Sequence, residues 1–144
     1  MPLGTASAPI PFEEIQTGQV FRTSESFGVA EMDHFAHLSG DRSAIHTDSE
    51  TARGFGFSDR IQYGFLLTAL LSRIVGTNFA HAVCAAVSLD FTKAVIVGER
   101  VELRAEVIHV QEAMRSVAMK ITVLRGADVV VRGKLTTIFL RPPL

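Results

Sequence analysis

Gly64-Phe65-Leu66-Leu67-Thr68-Ala69-Leu70-Leu71-Ser72-Arg73-Ile74-Val75 is apolar on nearly every helical face, with a single charge at Arg73. A helix lying on a surface carries one apolar stripe and one polar stripe, whereas one buried all round is apolar throughout. The run is therefore read as a central helix of about three turns and about 18 Å. Past Gly76 the composition changes to four runs rich in Val, Ile, Thr and Leu: Ala82 to Phe91, Glu99 to Gln111, Arg115 to Arg125 and Val129 to Leu140. Turn residues separate them, and Val101, Leu103, Ala105 and Val107 alternate with Glu102, Arg104 and Glu106, the pattern of a strand with one buried and one wet face. We expect an antiparallel meander. A dry helix beside such a sheet predicts an α+β fold in which the sheet wraps around the helix.

Upstream, Phe12 to Gln19 reads as an approach loop with a turn at Gly18, and Val20 to Phe27 as a first strand. From Ala30, Met32, Phe35, Ala36 and Leu38 recur at helical spacing, with Glu31 and Asp33 near the positive end of the helix dipole. Ser39-Gly40 should stop this helix. Asp41 to Ile45 follows as a loop, and Ser49 to Arg53 as a short helix with Asp48 as its N-cap, ended by Gly54-Phe55-Gly56.

At 144 residues the chain fits one domain spanning residues 1–144, with Met1 to Pro11 as a loose N-terminal arm. Apolar residues make up 47 % and mean hydropathy is +0.27, yet no apolar run reaches the roughly 18 to 20 residues that cross a bilayer. No membrane association is expected, and the surplus apolar surface suits a subunit interface. A net charge of −1 with scattered Lys and Arg leaves no basic footprint for nucleic acid. Cys84, the single cysteine, excludes an intrachain disulfide and reads as a small core residue. The N-terminal residues lack the pattern of a signal peptide, so the protein is read as cytoplasmic.

Two chemical features precede and begin the dry helix. Asp41 and His46 stand five apart in a loop, where a carboxylate and an imidazole can converge on one water and move its protons. The same pair on a solvated loop would be an ordinary capping contact, and spacing leaves both readings open. Gly64 begins a helix whose first N–H groups have no partner inside it, and the missing Cβ lets a ligand atom approach. Such an amide stabilises an oxygen that becomes an enolate; alternatively Gly64 only relieves crowding between helix and sheet.

The run Phe35-Ala36-His37-Leu38-Ser39-Gly40-Asp41-Arg42-Ser43-Ala44-Ile45-His46, with Ala52 six positions beyond, resembles the signature of the MaoC-like (R)-specific enoyl-CoA hydratases. In those enzymes a Ser-Gly turn precedes Asp-x-Asn-Pro-x-His, and His-Gly-Met-Leu opens the helix that here begins Tyr63-Gly64-Phe65-Leu66. Leu89-Asp90-Phe91-Thr92-Lys93-Ala94-Val95 and Val97-Gly98-Glu99 resemble the family's later strand and turn. The resemblance implies a hot-dog fold, a homodimer or higher homo-oligomer, and reversible addition of water to a trans-2-enoyl thioester of coenzyme A or acyl carrier protein. It implies that Asp41 and His46 activate the water, that the Gly64 N–H holds the thioester oxygen, and that Ser72 and Val75 line the acyl tunnel. It requires no metal and no cofactor.

Three positions depart from the family pattern. Ser43-Ala44 replaces Asn-Pro, removing a rigid φ and an amide; Tyr63 replaces histidine; Arg42 adds a cation beside Asp41. Ser43 and Tyr63 are assigned to the substrate side of the site, with a packed aromatic whose hydroxyl finds a backbone partner as the other reading of Tyr63. Arg53, Arg60 and Lys93 flank the loops as candidate phosphate anchors, while His34 and His37 read as surface residues. A hot-dog thioesterase and a non-catalytic acyl-thioester binder are the competing functions. Dehydratases that place a carboxylate on the central helix are disfavoured, because Gly64 to Val75 contains neither Asp nor Glu.

Overall fold

The computed structural model describes residues 7–144. Strand β1 (Val20–Ser26) leads to helix α1 (Val29–Ser39), the short α2 (Ala44–Thr47) and α3 (Ser49–Gly54), and then to α4 (Gly64–Leu67) and α5 (Ala69–Asn78). Strands β2 (Ala82–Phe91), β3 (Arg100–Gln111), β4 (Ser116–Arg125) and β5 (Asp128–Phe139) complete the chain. They form a five-stranded antiparallel sheet in the order β1-β3-β4-β5-β2. This is the expected α+β hot-dog arrangement, a sheet curled over the α4–α5 helix.

The alternation along β3 is realised: Val101, Leu103, Ala105 and Val107 are buried on the helix side. They meet Leu66, Leu67, Leu70, Leu71, Ile74 and Val75 in one core with residues of β4 and β5. Each such large apolar side chain contributes about 1.5–3 kcal/mol through removal from water.

Several expectations are corrected. The central helix is not buried all round, since Phe65, Ala69, Ser72, Arg73 and Gly76 lie exposed on the face away from the sheet. It is also interrupted at Thr68 and runs on to Asn78. The Thr68 hydroxyl donates to the Phe65 carbonyl at 2.6 Å, taking an acceptor from the helical ladder, and side-chain bonds of this kind bend helices. The four later strands are not one meander: β3, β4 and β5 are consecutive, but β2 crosses over to pair with β5 and forms an edge. Cys84 lies on that edge strand and is exposed, not in the core. Of the N-terminal arm, residues 1–6 lie outside the described residues. Ile10 is held, bonding through N–H to Asn78 O (2.7 Å) and through its carbonyl to Ala80 N (2.9 Å). Phe12 and Ile15 enter the core.

Candidate active site

The site is assembled from the end of α1. Gly40 adopts φ +75°, the left-handed turn that ends a helix and that a side chain would strain, and its N–H donates to Ala36 O. The Ser39 hydroxyl donates to Phe35 O (2.7 Å) and accepts the Asp41 N–H (3.0 Å), which directs the chain out of the helix. Asp41 Oδ1 then accepts two bonds from Ser43, from its N–H at 3.0 Å and its hydroxyl at 2.6 Å. Those two bonds, with a smaller effect of the nearby His46 charge, hold the Asp41 carboxyl below its ordinary value. Asp41 is therefore a carboxylate at neutral pH.

His46 comes from the single turn of α2, where a loop was expected through Ile45. Its Nδ1 lies 2.8 Å from the Ile61 carbonyl. A carbonyl only accepts, so Nδ1 carries the hydrogen, and in the neutral ring Nε2 is left as the free lone pair. The Ile61 peptide is itself fixed: its N–H donates to Ile45 O (3.2 Å), and the chain beside it pairs with the loop after β2 through Gln62 N–H to Val95 O (2.7 Å) and Val97 N–H to Arg60 O (2.9 Å). The buried Gln62 side chain ties the same segments together, donating to Ile96 O at 2.9 Å.

Tyr63 joins the acid to the base. Its hydroxyl donates to the main-chain carbonyl of Asp41 at 2.6 Å, and its ring stacks on the imidazole of His46 with centroids 4.1 Å apart. Burial first, and the Asp41 charge second, raise the phenol's pKa, so the hydroxyl stays a donor. This is the backbone-bonded aromatic among the two readings. Ser43 likewise spends its hydroxyl on Asp41.

Gly64 opens α4, and its amide is the first of the helix, with no partner within it. Because α4 has four residues, the individual N–H, not a long helix dipole, is what a ligand would meet there. A cleft of ≈ 320 Å³ is walled by His46 and Gly64 on one side and by Phe91, Thr92 and Lys93 on the other. An imidazole and the first peptide of a helix thus border one space. That combination can move a proton while holding a developing oxyanion.

Other candidates fall elsewhere. Val75 is in the core and Ser72 is exposed on the far face of α5; neither walls this cleft. Lys93 stands on the rim, paired with Asp128 at 2.9 Å. Arg60 is buried, facing Thr47 O and, at 3.7 Å, Asp33. Arg53 faces Asp59 and Ser58 O, and Arg42, His34 and His37 are exposed. Among the described residues no group of three His, Cys, Asp or Glu could hold a metal ion. Sequence reasoning passed over Gln62 and Phe91. The polarity of Gln62 in an apolar segment was its only signal, and Phe91 read as an ordinary strand residue.

The sequence profile of the family described as MaoC like domain matches residues 11–130. An (R)-specific enoyl-CoA hydratase of Aeromonas caviae is 33 % identical over 102 residues, covering 69 % of this chain and 76 % of that protein. A mitochondrial 3-hydroxyacyl-[acyl-carrier-protein] dehydratase of Arabidopsis thaliana is 28 % identical over 106 residues, which span 74 % of this chain and 64 % of that relative's length. Among solved structures, the (R)-hydratase from A. caviae involved in PHA biosynthesis superposes with a TM-score of 0.85 at 28 % identity, covering 89 % of this chain and 99 % of that one. With its Ser-Gly-Asp turn, its histidine and its glycine-led helix assembled on this fold, the chain belongs to the MaoC like domain family.

Proposed function

We propose that the protein is a hydro-lyase that adds water reversibly across a trans-2-enoyl thioester to give the (R)-3-hydroxyacyl thioester. The observation that carries this reading is that His46, with Nδ1–H given to the Ile61 carbonyl, borders one cleft with Gly64, while the main chain of Asp41, which itself does not wall that cleft, is tied to the same imidazole through Tyr63. Asp41 and His46 hold the water. As its oxygen bonds to C3, the base takes a proton from it, and the C2=C3 π pair moves toward the carbonyl, whose oxygen becomes an enolate at the Gly64 N–H. The enolate collapses as a proton returns to C2, so one water is added and nothing else is consumed. A donor aimed at such an oxygen is worth about 2.7–4 kcal/mol in comparable sites.

The thioester carrier is coenzyme A or acyl carrier protein, and the protein acts in the cytoplasm as a homodimer. The ten-residue edge strand β2 supports the dimer: it leaves backbone groups unpaired on one side and exposes Val83, Val87 and Phe91. No helix among the described residues is long and apolar enough to cross a membrane.

The test follows enoyl-thioester absorbance with purified protein and crotonyl-CoA, with chiral analysis of the product. Asp41→Asn and His46→Ala should each lower kcat by at least about 100-fold, the lower range of general acid–base contributions. Release of free thiol without hydration would identify a thioesterase, and acyl-CoA binding without either reaction a binding protein. Full activity in both variants would remove the proposed mechanism.

A further inference from the structure

The cleft does not end at Gly64. Behind it, between α4–α5 and the inner face of the sheet, a narrow crevice is lined by Leu71, Leu103, Ile121, Val123 and Val131. Only ≈ 10 Å³ of it is open, about the space of one water, too little for an alkyl chain. Its one polar neighbour, Thr68, has its hydroxyl committed to the Phe65 carbonyl, so the crevice is apolar.

Two residues border both spaces, Leu67 and Phe91. Leu67 is buried and fixed in the core, whereas Phe91, at the end of β2, is 47 % exposed. Its ring sits directly on Gly64: a Cβ at that position would lie 2.8 Å from Phe91 Cε1 and 3.0 Å from Cδ1. The nearest aromatic neighbour, Phe65, meets it edge-on at 6.3 Å and is itself exposed. The ring therefore stands between the amide proposed to hold the thioester oxygen and the apolar crevice.

We propose that Phe91 sets the acyl-chain length accepted at this site, an inference that rests on the thioester reading above. With the oxygen at Gly64 and C3 near His46, the way from the cleft into the apolar crevice runs past the Phe91 ring. With the ring in place the protein selects short acyl groups, because a longer tail is left in water or must displace the ring. Removing the ring joins cleft and crevice, and each methylene that then leaves water strengthens binding about fourfold.

The experiment measures kcat/KM for crotonyl-CoA and trans-2-octenoyl-CoA in wild type, Phe91→Ala and Phe91→Leu. In parallel, calorimetry measures the affinities of butyryl-CoA and octanoyl-CoA, which cannot be hydrated. Wild type should favour the four-carbon thioesters in both measurements. Phe91→Ala should raise the eight- to four-carbon ratio at least about tenfold in both, with Phe91→Leu intermediate, since a smaller apolar side chain opens the junction in part. Should Phe91→Ala not fold, as judged by circular dichroism, the same direction in Phe91→Leu decides the matter. An unchanged or lower ratio in a folded variant overturns the assignment, as does a wild type that already prefers eight carbons. A protein that hydrates nothing but shows the shifted binding ratio refutes the reaction and keeps Phe91 as the length determinant. One that binds neither acyl-CoA refutes both.

Discussion

Tyr63 and Asp41 are joined across 22 positions of chain by one short hydrogen bond, the phenol donating to the main-chain carbonyl at 2.6 Å. The same ring stacks on His46. One aromatic therefore contacts both the main chain of Asp41 and the ring of His46.

Removing only the hydroxyl separates these two contributions. Tyr63→Phe keeps the stacked ring and frees the Asp41 carbonyl, at a stability cost of about 1 kcal/mol. Under the proposed mechanism kcat depends on the geometry of the pair, so it should fall about tenfold while KM changes little. Steady-state kinetics alongside urea unfolding will check this; an unchanged kcat would show that the bond serves folding alone.

Ser43 governs the charge of Asp41. Its two bonds to Oδ1 are the main causes of the lowered pKa, so Ser43→Ala, which removes the hydroxyl bond, should raise it. A group with a depressed folded-state pKa contributes stability that is present above its unfolded value and lost as pH falls through the folded one. Activity that needs the carboxylate follows the same sign. The acidic limb of the kcat/KM profile should move to higher pH in Ser43→Ala, with the alkaline limb in place. A limb that stays where it is in wild type would mean that Asp41 ionisation does not control the rate.

The core prediction concerns Leu70, fully buried on the sheet side of α5. Leu70→Ala should destabilise by about 2–5 kcal/mol, the range for a large-to-small change that leaves a cavity. Ser72→Ala, on the exposed face of the same helix, should fall within about 0.5 kcal/mol of wild type. Denaturant midpoints at constant m-value give both numbers.

The β2 edge makes the assembly testable. Light scattering should give about twice the 15.6 kDa chain mass. Val87→Lys, which places a charge on the exposed apolar strand, should shift the protein toward monomer. A wild type that stays monomeric at micromolar concentration would contradict pairing through β2.

What the sequence determined by itself is local in origin. The stop of α1 at Ser39-Gly40 was legible because a left-handed glycine is the simplest way to end a helix, and the structure has φ +75° there. Asp48 was legible as an N-cap for the same kind of reason, and it accepts the Thr51 N–H at 2.9 Å. The strands fall within a residue or so of their expected bounds, since alternation and turn residues are read over a few positions. Asp41, His46 and Gly64 were visible as residue types at a spacing.

Only the tertiary structure decided the rest, because those features depend on groups far apart in the chain. The crossover of β2 to β5 brings Phe91 onto Gly64, and no local pattern encodes which strand lies beside which. Exposure of Cys84 follows from β2 being an edge, although its neighbours in sequence are as apolar as a core strand's. The interruption at Thr68 depends on a hydroxyl choosing a carbonyl over solvent. The link from the Asp41 main chain to the His46 ring runs through Tyr63, whose hydroxyl and ring reach them only once α1, α2 and α4 have packed. Periodicity and capping act within a few residues, whereas pairing order and the orientation of a functional group are set by the packing of the whole.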